Sequence, residues 1–189
     1  IYHLNFIVFY LTFIICFMNE HNILGAILAG GQSKRMGQDK LFLELNNRKL
    51  IEHTIDKVKK YLKNVIIITN QKNEFFSKKN LITVEDCIKG QLGPLVGILT
   101  AMKWAKENLK DCSWIATFPC DTPFFPETII QKFIEKSKEK DSLLLCASSH
   151  GRKHNIFGLW SIDLYEKLHD DLINNKIRKV QDWIEKNKI

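Results

Sequence analysis

Between Leu28 and Lys40 the chain reads Leu-Ala-Gly-Gly-Gln-Ser-Lys-Arg-Met-Gly-Gln-Asp-Lys. Gly30, Gly31 and Gly37 share this stretch with Lys34, Arg35 and Lys40. Glycine removes the Cβ that keeps a backbone away from a phosphate, and the freed N–H groups can point at the anion. Arg35 offers a planar fork to phosphate oxygens and Lys40 a point charge. A basic surface turn is the competing reading of such glycines. The apolar run before them and the cations among them favour phosphate. The spacing fits neither GxGxxG nor the Walker pattern.

A second segment, Phe118-Pro119-Cys120-Asp121-Thr122-Pro123-Phe124, places a carboxylate between two prolines. Asp121 there suits Mg²⁺ that also touches substrate phosphates, or an Asx turn that caps backbone N–H groups. Gly93-Pro94-Leu95-Val96-Gly97 reads as a helix start that offers its N-terminal N–H groups to an anion. Close backbone packing explains the same glycines equally well. Cys120 has no neighbouring His and reads as a core residue.

These groups need strands that end beside one another. Asn22–Ala29, the β-branched Val65–Thr69 and Ser113–Phe118 read as buried strands, with shorter ones at Leu41–Leu45, Leu81–Val84, Leu143–Ala147 and Ile156–Trp160. Helices are expected over Lys49–Leu62, Asn73–Lys79, Leu95–Leu109 behind Pro94, Pro126–Lys138, Ile162–Leu172 and Ile177–Lys188. Strands that alternate with helices predict an α/β fold with a mostly parallel sheet covered on both faces. Ligands of such sheets bind at the carboxyl ends of strands, where these motifs lie.

With 189 residues, 45% of them hydrophobic, the chain suits one domain with a sizeable core. The net charge of +7 invites a nucleic-acid reading, yet only four of the 28 basic residues are arginine. The lysines lie scattered beside glutamates, which favours a solvated surface over a nucleic-acid face. Five cysteines without CxxC spacing argue against a disulfide framework or a zinc site and suit a cytoplasmic protein. Residues 1–17 carry no Lys, Arg, Asp or Glu, but neither a basic n-region nor a small-residue cleavage site is present. The expectation is an apolar extension outside the native protein, with Met18 as the start and one domain over residues 18–189.

The Leu28–Lys40 segment resembles the LAGGxSxRMGxDK signature of the molybdenum cofactor guanylyltransferases, Rossmann-like nucleotidyltransferases of three layers. The segments at Pro119–Phe124 and Gly93–Ile98 resemble that family's PCDxPF and GPLxGI elements. The resemblance implies transfer of GMP from GTP to molybdenum-molybdopterin, with Mg²⁺ on Asp121 and Lys40, Arg35 and Asp121 as the catalytic groups. It implies GTP contacts at Leu28, Ala29, Gly30, Gly31, Lys40, Asn70, Asp86, Gly93, Pro94, Leu95 and Asp121. Asp86 is open to a role on base, ribose or metal. His154-Asn155 stands where relatives carry His-Pro. Partners beyond the two substrates are molybdopterin-handling proteins or molybdoenzyme apoproteins; no nucleic acid or membrane is expected, and the chain is read as a monomer. Relatives continue into a further strand and helix, so the C-terminal sheet edge is expected to be truncated. The alternatives are a CTP-dependent cytidylyltransferase, another nucleotidyltransferase, and a non-catalytic GTP-binding module.

Overall fold

Ile23, Leu24, Ala26 and Ile27 are fully buried, as a strand covered on both faces requires. Their side chains alternate between two cores. Leu24, Ala26 and Leu28 join one apolar cluster with Met102, Trp160 and Trp183. Ile23 and Ile27 join another with Ile55, Phe118 and Phe133. The structure is a computed structural model and describes residues 22–30, 43–72, 74–90, 93–139 and 142–189.

The elements run β1 (Ile23–Leu28), β2 (Glu44–Leu45), β3 (Arg48–Lys49), α1 (Leu50–Tyr61), β4 (Asn64–Ile68), α2 (Glu74–Lys78), β5 (Ile82–Val84) and α3 (Pro94–Asn108). They continue with β6 (Trp114–Pro119), α4 (Thr128–Lys136), β7 (Leu144–Ser149), β8 (Arg152–Ser161), α5 (Tyr165–Ile173) and α6 (Val180–Asn187). Six strands form one sheet in the order β5-β4-β1-β6-β8-β7. β1 pairs in parallel with β4 and β6, and β4 with β5. β8 is antiparallel to both β6 and β7, so it alone runs against the other strands of this sheet. The fold is the expected three-layer α/β architecture: α1 and α4 cover one face, and α3, α5 and α6 the other.

Several boundaries differ from the sequence reading for local reasons. Of the strand expected over Leu41–Leu45, whose first two residues lie outside the described ones, Glu44–Leu45 is β2 and makes a hairpin with β3 across Asn46-Asn47, whose φ angles of 51° and 58° match a left-handed turn pair. β8 begins at Arg152, because His150 (φ 48°) and Gly151 (φ 75°) turn the chain tightly and let pairing with β7 start at once. α4 starts two residues after Pro126, and Ile162–Leu164 is a 3-10 turn ahead of α5. α6 starts at Val180, not Ile177, and the buried Asp171 carboxylate ties both the loop before it and its last turn. It accepts from Asn175 Nδ2 (2.9 Å), Lys186 Nζ (2.6 Å) and Asn187 Nδ2 (3.1 Å). Among the described residues no helix is long and apolar enough to cross a membrane. The readings for residues 1–17 and Met18 lie outside the described residues.

Candidate functional site

β1 ends at Leu28, which stands opposite Ile68 of β4 and Pro119 of β6. Three segments therefore leave the sheet side by side: Ala29-Gly30, Thr69-Asn70 and Cys120-Asp121. Ala29 N–H donates to Ile68 O at 2.9 Å, and Cys120 N–H to Leu28 O at 3.3 Å, which ties their first residues to the central strand. Val84 stands opposite Ile68, so Glu85-Asp86 forms a fourth segment on the same edge. Strands lie about 4.8 Å apart, so Asp86 and Asp121 leave strands about 14 Å apart. That span suits a nucleotide laid across the strand ends.

The first segment divides its backbone between fold and site. The N–H of Ala29 is spent on the sheet, and the side chains of Leu28, Ala29 and Leu95 are buried. Any ligand contact from these three must therefore be a backbone one. Gly30 is exposed, and among the described residues a Cβ placed there would meet nothing within 4 Å. Gly31, Arg35 and Lys40 lie outside the described residues.

Asn70 and Asp86 come together as a reciprocal pair. Asn70 Nδ2 donates to Asp86 Oδ2 at 2.7 Å, and Asp86 N–H donates to Asn70 Oδ1 at 2.9 Å. Burial pushes the Asp86 carboxyl above its ordinary pKa, and the Asn70 amide draws it partly back. The turn that aims Asn70 comes from Thr69, whose Oγ1 accepts from Gln71 N–H at 3.1 Å.

Gly93 caps α3 with φ 79°, and Pro94 occupies its first turn. A Cβ at Gly93 would lie 3.1 Å from Arg178 O, so the loop before α6 packs against this helix start. A Cβ at Gly97 would lie 3.2 Å from Leu28 Cδ2, so that glycine seats α3 against the end of β1. Thr100 holds the segment after Asp86: its Oγ1 accepts from Cys87 N–H at 2.9 Å and donates to Val96 O at 2.7 Å. Sequence reading missed Thr100, which carries no motif; only its place one turn beyond Val96 could have drawn attention.

Asp121 is exposed, and Thr122 Oγ1 donates to its Oδ1 at 3.2 Å. Among the described residues no group of three or more His, Cys, Asp or Glu could enclose a metal ion. Mg²⁺ commonly keeps its waters and takes one or two carboxylates plus substrate phosphates, so a single exposed carboxylate fits it. Cys120 is buried, as a core residue should be. His154 Nε2 pairs with Ser149 Oγ at 2.7 Å, and Asn155 Nδ2 donates to Gln181 Oε1 at 2.7 Å.

The model of the MobA-like NTP transferase domain matches residues 25–188. A molybdenum cofactor guanylyltransferase of Mesorhizobium japonicum is 32% identical over 168 residues, which are 88% of this chain and 80% of that protein. One from Haemophilus influenzae is 35% identical over 160 residues, 84% of this chain and 81% of that protein. A crystal structure of a protein from Aquifex aeolicus, 28% identical, superposes with a TM-score of 0.68 over 87% of this chain and 82% of that one. The molybdopterin-guanine dinucleotide biosynthesis protein A of Archaeoglobus fulgidus shares the fold at a TM-score of 0.67 and 20% identity, over 86% of this chain and 79% of its own.

Proposed function

The chain belongs to the MobA-like NTP transferase family, and from that premise we propose that it transfers GMP from GTP to molybdenum-molybdopterin, releasing pyrophosphate. The observation that carries this reading is the adjacency of β1 and β6, whose loops bear the glycine-rich segment and Asp121. Phosphates lie between these loops, and the base extends over β4 towards Asp86. Guanine presents N1–H and N2–H₂ donors side by side, which the Asp86 carboxylate accepts; cytosine lacks that pair. The backbone of Leu28 to Gly31 and the start of α3 at Gly93, Pro94 and Leu95 line the nucleotide, with Asn70 fixing Asp86.

A terminal phosphate oxygen of the pterin attacks the α-phosphorus in line, forming the new P–O bond as the bond to pyrophosphate breaks. Lys40 and Arg35 stabilise charge that builds on the α-phosphate and the leaving group. Asp121 would hold Mg²⁺, which when bound would supply further charge neutralisation. Such catalysis consists of positioning and electrostatics, so no covalent nucleophile is needed. The setting proposed is a cytoplasmic monomer that meets molybdopterin-handling proteins or apoproteins transiently.

The test is GMP transfer by Asp121→Ala and Lys40→Ala. Each is expected to lower the rate about 10²–10³-fold, about 2.7–4 kcal/mol in the transition state, while remaining folded. Turnover at the native rate in either variant refutes the assignment. GTP and CTP competing in one assay separate the guanylyl reading from the cytidylyl one.

A further inference from the structure

Among the described residues the side-chain partner of Asp121 is its own neighbour, Thr122 Oγ1 at 3.2 Å. Its position is therefore set by the loop that carries it. On the entry side Cys120 N–H donates to Leu28 O at 3.3 Å. On the exit side Phe125 is buried and stacks on Phe118, with ring centroids 5.5 Å apart. Between these anchors the loop meets a side chain from a distant helix. Lys57 Nζ of α1 donates to Pro123 O at 2.7 Å and to Phe125 O at 3.0 Å, and lies 5.1 Å from the centre of the Phe125 ring. One turn further along α1, Lys60 Nζ and Tyr61 Oη both reach Glu127 Oε2, at 2.7 Å and 2.6 Å.

Resting on the reading of Asp121 as the metal-holding carboxylate, we propose that Lys57 is a positioning residue which sets where that carboxylate stands. Two carbonyls shared by one ammonium fix the curvature of the 121–125 turn, because Nζ donates in three directions and two of them are spent here. α1 follows directly on β3 of the β2–β3 hairpin. Lys57 thus ties the 121–125 turn to a helix and not to the ligand. Losing it frees the turn and leaves two carbonyls without their donor, while the nucleotide contacts at β4 and β5 stay untouched.

The experiment compares Lys57→Met, which keeps the apolar stem, with Lys57→Arg, which keeps the donors. Hydrogen exchange of the metal-free protein reads the loop directly. Residues 120–127 are expected to exchange about tenfold faster or more in Lys57→Met, with β1 and β4 unchanged. In GMP transfer, kcat is expected to fall by up to about 100-fold and half-saturation by Mg²⁺ to shift to higher concentration. The affinity for GTP measured without metal stays within twofold, and Lys57→Arg recovers most of the loss. Unchanged exchange or unchanged Mg²⁺ half-saturation in folded Lys57→Met overturns the proposal. So does a uniform loss that includes metal-free GTP affinity, since that is what damage to the whole fold gives. If Lys57→Met does not fold, Lys57→Gln is judged by the same readings. Asp121→Ala is the separate control: native Mg²⁺ dependence there refutes the metal reading, whereas the exchange data still judge the tie itself.

Discussion

Exchanging Asp86 for asparagine keeps the shape of the side chain and removes the charge that burial opposes. Burial holds the folded carboxyl above its ordinary value, with Asn70 drawing it back. As pH rises past about 3.9, the unfolded chain gives up this proton before the folded one does. The folded state then binds more protons, so Asp86 costs stability progressively through the window up to its raised value and fully above it. In Asp86→Asn the side-chain oxygen can still accept from Asn70, and the ionisation cost is gone. Thermal melting at neutral pH is expected to show a variant at least as stable as the native protein, with the difference closing as the carboxyl protonates in acid.

Recognition runs the other way. A hydrogen bond to a charged group is worth about 1.5–3 kcal/mol, so GTP affinity is expected to fall about 10- to 150-fold. Calorimetric titration at pH 7.5 with GTP and with inosine triphosphate, which lacks the N2 amine, measures this. Native protein should prefer GTP, and the variant should lose most of that preference. GTP affinity within twofold of native, or a lower melting temperature at neutral pH, refutes the reasoning.

Thr117→Val removes a buried hydroxyl that donates to Ile156 O (2.6 Å) and accepts from Trp160 Nε1 (3.1 Å) and Gly158 N–H (3.3 Å). Urea unfolding is expected to show a loss of about 3 kcal/mol or more, since several buried groups lose partners at about 1–3 kcal/mol each. Gly93→Ala meets a φ of 79° and the Arg178 carbonyl at 3.1 Å. It is expected to cost about 1–3 kcal/mol in urea unfolding and to raise KM for GTP. At Asp171, burial pushes the carboxyl up, but donation from Lys186, Asn187 and Asn175 outweighs it and holds the pKa below the ordinary value. This stabilisation is present above the ordinary aspartate range and lost as pH falls through the lowered value. Asp171→Asn is expected to cost about 1–3 kcal/mol at pH 7 and clearly less in strong acid, read by urea unfolding at both.

The strands and helices that cross the core were legible because their apolar residues repeat at the right period. Val65–Thr69 differs from β4 by one residue at each end, and Lys49–Leu62 from α1 likewise. The hairpins were not, because Asn46-Asn47 and His150-Gly151 adopt left-handed turns without the Asn-Gly or Asp-Gly pair that announces them. The site divides in the same way. Motifs at strand ends could be named from sequence, since parallel topology brings all such ends to one edge. The partners that aim them could not. Asn70 meets Asp86 because β4 and β5 are neighbours, Cys87 meets Thr100 because α3 lies on that edge, and Lys57 reaches Pro123 across 66 positions. Nor could sequence show that Ala29 spends its N–H on Ile68.

The polar groups of the sheet and of the site are treated differently by the same fold. Thr117 and Asp171 are buried and surrounded by donors and acceptors that use their capacity, so changing either should disturb folding. Among the described residues, Asp86 is raised by burial with one side-chain donor against it, and Asp121 is exposed with a local hydroxyl as its side-chain partner. A carboxylate left with unused acceptor capacity is poorly stabilised by its own chain and well prepared for a ligand's donors or a cation. The opposite signs expected for Asp86→Asn, towards stability and away from GTP, follow from that division. If both moved downward together, Asp86 would belong with Thr117 and Asp171 as a support of the fold, and the base would have to be read by other groups.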